Sequence, residues 1–296
     1  MRNLRWPPRP DGGPRSQGPG PVGPRSGRPT LPGPPTELIK TPDGVCLEQL
    51  VTGVGDPVTV FAHGLAGDIA STRPLGSAVA GRRVFFQFRG HGRSDAPPGP
   101  WSFADLAGDL RAVADRAGAT RALGVSMGAG ALCRLLAETP DRFERIVLYL
   151  PAPLDGNRPP VAVARLERLL AAVDSGEAAA IAEAVECELP KAVRNTPTGW
   201  AYLRQRVEQL LNHALAPQLD TLWREPTVAD ESALTAFGGR ALVIGCIGDD
   251  VHPAAVAERV AGLLPQAVLH VYDHPAVLWS NRSELRERIS QFLNTP

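Results

Sequence analysis

One short segment, Gly124-Val125-Ser126-Met127-Gly128, constrains the fold of this chain more than any other part of the sequence. The apolar run before it, Arg121–Leu123, predicts a strand, and residues 127–138 after it have helical periodicity. A strand, a sharp turn and a helix in this order form a nucleophile elbow, in which flanking glycines let the two elements pass close together. The Ser126 hydroxyl would then lie beside helix N–H groups that can stabilise an oxyanion, whereas an incidental serine in a glycine-rich turn is the alternative.

Composition favours a globular α/β protein and argues against several other classes. The chain has 296 residues, 43% of them apolar, and a formal net charge of zero, so neither a nucleic-acid nor a membrane partner is indicated. There is no apolar run of about 18 residues and no apolar leader, so we expect a cytoplasmic protein. The scattered cysteines, without a C-x-x-C pair, favour free thiols over disulfides or a zinc site: Cys46, Cys133, Cys187 and Cys246.

Residues 1–36 differ in composition from the rest of the chain. They are dominated by Pro, Gly, Arg and Ser and contain too few apolar side chains to offset the entropy of ordering. The segment is therefore predicted to be a disordered tail. A tether or a polyanion-binding arm is the functional interpretation, and a dispensable extension is the one we favour.

From Glu37 onward, strands and helices alternate in a pattern that predicts a parallel sheet. Residues 37–150 and 240–296 follow this pattern, whereas residues 151–239 contain helices and no convincing strand. Such an insertion is expected to form a lid over a pocket, although helices that only pad the sheet are the alternative. The predicted strands are Glu37–Ile39, Val45–Thr52, Val58–Ala62, Arg83–Phe88, Arg121–Val125, Ile146–Leu150, Ala241–Ile244 and Ala267–Tyr272. The predicted helices are Phe103–Ala117, Met127–Glu138, Val161–Val173, Glu177–Glu188, Gly199–Leu215, Ala254–Leu264 and Ser283–Phe292.

Four segments in this order resemble the α/β-hydrolase superfamily. They are His63-Gly64, residues 90–94 (Gly-His-Gly-Arg-Ser), the elbow at residues 124–128, and residues 248–253 (Gly-Asp-Asp-Val-His-Pro). The resemblance implies an α/β fold with a mostly parallel eight-stranded sheet, a helical cap inserted after strand six, and the chain order serine, acid, histidine. Small, capped members without a cofactor, such as esterases, lactonases and carbon–carbon bond hydrolases, are the most similar. The resemblance therefore implies a small-molecule substrate, no cofactor and no metal.

The resemblance also assigns roles to individual residues. Ser126 takes the position of the nucleophile, and the Met127 N–H, which follows it, is one oxyanion donor. The second donor is expected to be the Leu65 N–H, in the turn after the first glycine motif. His63 and His91 are expected to have structural roles in their loops.

The acid of the family lies after the seventh strand, a few residues before a proline that begins a helix. Asp249, four residues before Pro253, fits this position best. Asp250 is the next candidate, and Asp155 lies where some members place the acid instead. An acidic residue at this point could also serve only to stabilise a helix N-terminus.

The histidine is where the sequence departs from the family pattern. The strand and helix that frame it place Ala276-Val277 at the expected position, and Val277 cannot transfer a proton. His274 is the nearest imidazole and is the predicted base. Of the other imidazoles, His252 lies beside the acid and His270 lies within a predicted strand.

These features predict a serine hydrolase that acts on a small ester, lactone or related carbonyl compound. Two alternatives remain, because a serine without a base is a weak nucleophile. One is a lyase, isomerase or cyclase that uses Ser126 as a hydrogen-bond donor and Asp249 as base, and the other is a non-enzymatic ligand-binding protein. Four cap side chains are candidates for the pocket wall, although helix packing is the more ordinary use of each: Trp200, Leu203, Leu211 and Trp223.

Overall fold

A twisted sheet of eight strands organises the described residues. The structure is a computed structural model and describes residues 35–212, 222–275 and 277–295. The sheet order is β1-β2-β4-β3-β5-β6-β7-β8, and all pairings are parallel except those of β2 with β1 and β4. The strands are β1 (Glu37–Lys40), β2 (Cys46–Thr52), β3 (Val58–Ala62), β4 (Arg82–Phe86), β5 (Arg121–Val125), β6 (Arg145–Tyr149), β7 (Arg240–Cys246) and β8 (Ala267–Tyr272).

Side chains alternate between two cores, one on each face of the sheet, because successive residues of a strand point in opposite directions. In β6, for example, Ile146 and Leu148 belong to one buried cluster and Val147 belongs to the other. The central strands β3 and β6 are buried along their whole length because both of their faces are covered. The helices are α1 (Ile69–Thr72), α2 (Phe103–Ala117), α3 (Met127–Glu138), α4 (Pro160–Ser175), α5 (Ala178–Glu186), α6 (Lys191–Arg194), α7 (Pro197–Asn212), α8 (Ala254–Leu263), α9 (Val277–Ser280) and α10 (Arg282–Asn294).

The predicted fold class is confirmed. All eight predicted strands are present with bounds shifted by two residues or fewer, and the strands meet in a mostly parallel sheet. Helices α4–α7 form a helical insertion between β6 and β7, as expected, followed by a short 3-10 helix at Glu231–Ala236.

The insertion has a small apolar core of its own. Ile181 and Val185 of α5 are fully buried and pack with Ala172 of α4 and Leu210 of α7. Ala66, from the turn after β3, belongs to the same cluster, so the insertion is packed onto the rest of the fold at that turn. The boundaries at residues 151 and 239 stay a prediction.

Some predictions fall on residues that the structure does not describe. These are the tail up to residue 34, the end of the helix predicted for Gly199–Leu215, and Ala276. Within the described ranges, none of the helices combines the length and the apolar character needed to cross a membrane.

Candidate active site

Ser126 occupies a strained turn between β5 and α3. Its φ of 50° and ψ of −108° are unusual for a residue with a side chain, as a nucleophile elbow requires. The Ser126 N–H donates to Tyr149 O at 3.0 Å, and the Ser126 carbonyl accepts from Gly130 N at 2.9 Å, which begins the hydrogen bonding of α3. The turn is thereby fixed on the neighbouring strand and on the helix that follows.

Two glycines make this turn possible. A Cβ on Gly124 would lie 2.6 Å from Ala129 N, and a Cβ on Gly128 would lie 2.4 Å from Ala62 O. Both contacts are with backbone atoms, which cannot move aside as the end of a flexible side chain can. The spacing of the two glycines around Ser126 is therefore a requirement of the close approach of α3 to β5 and to the end of β3.

His252 lies against Ser126. Its Nε2 is 2.8 Å from Ser126 Oγ, and its Nδ1 is 3.1 Å from Asp249 Oδ2. A neutral ring that donates from Nδ1 to the carboxylate presents Nε2 as the acceptor for the Ser126 hydroxyl. Serine, histidine and aspartate thus form a continuous hydrogen-bonded chain, which is the arrangement that activates a hydroxyl nucleophile.

The loop after β7 brings the acid and the imidazole together. Asp249 Oδ1 accepts hydrogen bonds from Val251 N at 2.8 Å and His252 N at 2.9 Å, which closes a tight turn. Pro253 then caps α8, where its missing N–H costs nothing. The turn therefore directs the His252 ring back over its own acid and toward Ser126.

The electrostatics of Asp249 keep its carboxylate ionised. Burial by itself raises the pKa of Asp249, but the hydrogen bond and charge of His252, together with the two backbone N–H donors, outweigh burial and lower the pKa to about 2. The carboxylate is thus negative throughout the neutral range and can hold the Nδ1 proton of His252.

The prediction that His274 serves as the base disagrees with the structure. His274 Nε2 lies 3.1 Å from Asn281 Oδ1 and 3.4 Å from Ser280 Oγ, so the ring is directed to the start of α10. Val277, at the position expected for the histidine, begins α9 and is buried in the core. The imidazole that contacts Ser126 is that of His252, in the loop that also contains Asp249.

The two alternative acids lie in other ion pairs. Asp250 pairs with Arg165 of α4 at 2.9 Å, and Asp155 pairs with Arg259 at 3.1 Å. Asp249, the first choice from the sequence, is the carboxylate that contacts His252. The spacing Asp-x-x-His at residues 249–252 could have predicted the contact between Asp249 and His252. A turn closed by an aspartate side chain brings the residue three positions later back to that side chain.

Leu65 and Met127 line the same cavity as Ser126. The Met127 N–H has no acceptor within α3, because the first helical hydrogen bond is made by Gly130. Both residues therefore line the cavity at the serine, and the role of their N–H groups as oxyanion donors stays a prediction.

Two buried histidines hold the turn that contains Leu65. His63 Nδ1 donates to Gly64 O at 2.8 Å while its Nε2 accepts from Phe88 N, and burial lowers its pKa to about 4. His91 Nε2 accepts from the N–H of Ala66, which has a positive φ of 55°. These contacts are those expected of structural histidines.

The cavity at Ser126 is small, with a volume of about 20 Å³. Of the four cap side chains proposed as its wall, Trp223 lines it, whereas Leu203 packs against the core of the insertion. No group of three potential metal ligands occurs within the described ranges. The cavity is lined by Leu65, Phe103, Ser126, Met127, Arg158, Leu166, Leu222, Trp223 and Val251.

Comparisons with known proteins agree with this architecture. The chain is 36% identical over 115 residues to a protein named "Putative carbamate hydrolase RutD" from Caulobacter segnis. That match covers 36% of this chain and 43% of the relative, so the chain spans less than half the length of that relative.

Similar solved structures have low sequence identity and report on the fold alone. An esterase (EaEST) from Exiguobacterium antarcticum has a TM-score of 0.71 at 17% identity, covering 87% of this chain and 99% of its own. The enol-lactonase from Burkholderia xenovorans LB400 has a TM-score of 0.73 at 21% identity, covering 88% and 100%. The family model described as "alpha/beta hydrolase fold" matches residues 57–276, which is more than half of the chain. The chain therefore belongs to the α/β-hydrolase fold family.

Proposed function

We propose that this protein is a serine hydrolase that cleaves an ester, a lactone or a related acyl bond of a small molecule. The observation that carries the proposal is the hydrogen-bonded chain from Ser126 Oγ to His252 Nε2, at 2.8 Å, and from His252 Nδ1 to Asp249, at 3.1 Å. Nucleophile, base and orienting acid are thus in contact without further movement of the chain.

In the proposed reaction, His252 Nε2 removes the hydroxyl proton of Ser126 as Oγ attacks the carbonyl carbon of the substrate. The carbonyl oxygen becomes an oxyanion, which the N–H groups of Met127 and Leu65 stabilise. The intermediate then collapses to an acyl-serine, and the imidazolium returns its proton to the leaving oxygen. A water molecule, deprotonated by His252, attacks the acyl-serine, and the imidazolium returns this proton to Ser126 Oγ as the acid is released.

Asp249 holds the imidazole in the required tautomer and stabilises its positive charge when the proton arrives. Its pKa of about 2 supports this role, because the carboxylate then stays ionised and does not take the proton itself. The side chains and backbone groups supply every proton transfer of this scheme, so the proposed chemistry needs no metal or cofactor.

The substrate class follows from the chemistry of the serine and from the names of similar proteins. An esterase, an enol-lactonase and a carbamate hydrolase all attack a carbonyl carbon that bears a heteroatom. The lyase and ligand-binding alternatives depended on the lack of a base near Ser126. The position of His252 removes that argument and favours hydrolysis.

The test is covalent labelling with a fluorophosphonate, followed by a panel of p-nitrophenyl esters and lactones. We expect the wild type and a Ser77→Ala control, which alters an exposed serine, to be labelled and to hydrolyse at least one ester. Ser126→Ala should show neither labelling nor turnover. Equal labelling of Ser126→Ala, or a folded wild type that is neither labelled nor active on any ester, would contradict the proposal.

A further inference from the structure

An arginine lies in the wall of the cavity that contains Ser126. Arg158 precedes helix α4 and lines the cavity together with Met127 and the apolar side chains of Leu166 and Leu222. A guanidinium in such surroundings is unusual, because an unpaired charge near apolar groups loses hydration that nothing replaces. The hydrogen-bond partners of Arg158 therefore show whether its charge is already satisfied within the protein.

Arg158 makes a single hydrogen bond within the described part of the chain, from Nε to Trp223 O at 3.0 Å. A guanidinium has five N–H donors in a planar fork, so both terminal nitrogens are left without an acceptor among these residues. Two arginines near it are paired instead, Arg165 with Asp250 at 2.9 Å and Arg224 with Glu167 at 2.8 Å. The Nε hydrogen bond thus holds Arg158 in place, and its two terminal nitrogens can donate to a ligand.

Burial lowers the pKa of Arg158 to about 10, so the side chain remains positively charged at neutral pH. A second donor belongs to the same wall. The Nε1 of Trp223 is buried, and it has no hydrogen-bond partner among the described residues. A cation and an indole N–H, both lacking acceptors, are complementary to a ligand that brings negatively charged oxygen atoms.

We propose that Arg158 binds a carboxylate on the acyl part of the substrate, with Trp223 Nε1 as a further donor to the same ligand. The proposal rests on the proposed function, because the acyl carbon attacked by Ser126 must enter the cavity that Ser126, Met127 and Arg158 all line. A planar guanidinium matches a carboxylate with two parallel hydrogen bonds. The substrate class is thereby narrowed to esters or lactones of acids that carry a second, ionised carboxyl group.

The test compares mono-p-nitrophenyl esters of succinate, glutarate and adipate with the same compounds in which the second carboxyl is a methyl ester. Rates measured with Ser126→Ala are subtracted to remove spontaneous hydrolysis. We expect the wild type to prefer the charged member of at least one pair in kcat/KM. In Arg158→Met that preference should fall about 10- to 100-fold, as for a lost hydrogen bond between charged groups.

Two further variants keep the result interpretable. Arg158→Lys retains the charge and should retain part of the preference, and Arg168→Met removes an exposed arginine from the same helix region and should leave the preference as in wild type. Thermal unfolding shows whether each variant is folded. No preference in the wild type, or a preference that survives in folded Arg158→Met, would overturn the proposal while leaving Ser126-dependent hydrolysis intact.

A binding measurement separates this proposal from the proposed function. If no ester is hydrolysed, the proposed function fails, and calorimetric titration with monomethyl glutarate and with neutral dimethyl glutarate decides the role of Arg158. Binding of the anion alone, lost in Arg158→Met, would support the carboxylate site. Equal binding of both compounds, or binding of neither, would contradict it.

Discussion

At the scale of single residues, Asp249 controls both the backbone and the ring of His252. One carboxylate oxygen accepts the N–H groups that close the turn, and the other lies against His252 Nδ1. Because only two residues separate Asp249 from His252, little backbone freedom lies between them. The position of the imidazole therefore depends on one short turn and not on the relative placement of two distant loops.

Replacing His252 tests which imidazole serves as base. We expect His252→Ala to lower kcat on a p-nitrophenyl ester by about 10²- to 10⁴-fold, because general-base assistance is lost. His274→Ala should stay within about twofold of the wild type, because that ring contacts Asn281 instead of Ser126. Steady-state kinetics and the rate of fluorophosphonate labelling provide the comparison. A loss of rate in His274→Ala with a fully active His252→Ala would reverse the assignment.

The low pKa of Asp249 predicts a contribution to stability that depends on pH. The folded pKa of about 2 lies below the ordinary value of 3.8, so the contribution is present above pH 3.8 and is lost as pH falls toward 2. Its full size is about 2 kcal/mol, of which about 1 kcal/mol disappears between pH 5 and pH 3. The difference in unfolding free energy between wild type and Asp249→Asn should shrink by that amount over this interval.

Asp250→Asn is the control for this measurement. Asp250 is the neighbouring carboxylate. Both Asp250 and its ion-pair partner Arg165 are partly exposed. Urea unfolding at several pH values should therefore show a smaller change for Asp250→Asn than for Asp249→Asn. A pH dependence in Asp249→Asn equal to that of the wild type would show that this carboxylate has no special environment.

At the scale of secondary-structure elements, the elbow depends on how closely α3 passes the neighbouring backbone. Gly128→Ala should destabilise the protein by about 2–4 kcal/mol, because its Cβ would lie 2.4 Å from Ala62 O. Gly108→Ala is the matched control, since Gly108 lies in helix α2 with open space around it. That change should stabilise by about 0.5–1 kcal/mol, and denaturant unfolding measures both. Equal effects at the two positions would refute the close-approach argument.

The elements that the sequence predicted best are those whose pattern reflects a buried face. The bounds of β3, β5, α2 and α3 agree with the predicted ones, because periodicity and a local motif specify them. The elbow also placed Ser126 correctly at the junction of β5 and α3. Short elements such as α1 and α6 were missed, since four residues are too few to show a period.

The contact of His252 with Ser126 was missed for a different physical reason. A loop has no period, and the direction of the His252 ring depends on side-chain hydrogen bonds that close the turn at Asp249. The pattern around Val277 predicted a short connection to the last helix, and the structure has the helix α9 there, with Val277 packed in the core. The chain order serine, acid, histidine also holds for Ser126, Asp249 and His252, but this imidazole lies in the loop after β7 and not after β8.

At the scale of the whole molecule, the insertion is tied to both sides of the candidate active site. Arg165 of α4 pairs with Asp250, which directly follows the acid of the site. Arg206 of α7 donates from Nη1 to the carbonyl of Ala66, in the turn that also contains Leu65. Because Ala66 has a positive φ of 55°, this turn needs such outside contacts to keep its conformation. The insertion thus contacts the turns on both sides of the site.

Arg206→Met tests whether this support matters for catalysis. The change keeps most of the apolar stem and removes the donor to Ala66 O, so the turn with the Leu65 N–H should become less well fixed. We expect kcat to fall about 10-fold with a smaller change in KM, because an oxyanion donor acts mainly in the transition state. Arg204→Met, an exposed change on the same helix, should leave kcat as in wild type. A rise in KM alone for Arg206→Met would mean that the insertion shapes substrate binding and does not support the oxyanion turn. An equal loss of kcat in both variants would mean that the hydrogen bond to Ala66 O has no specific role in catalysis.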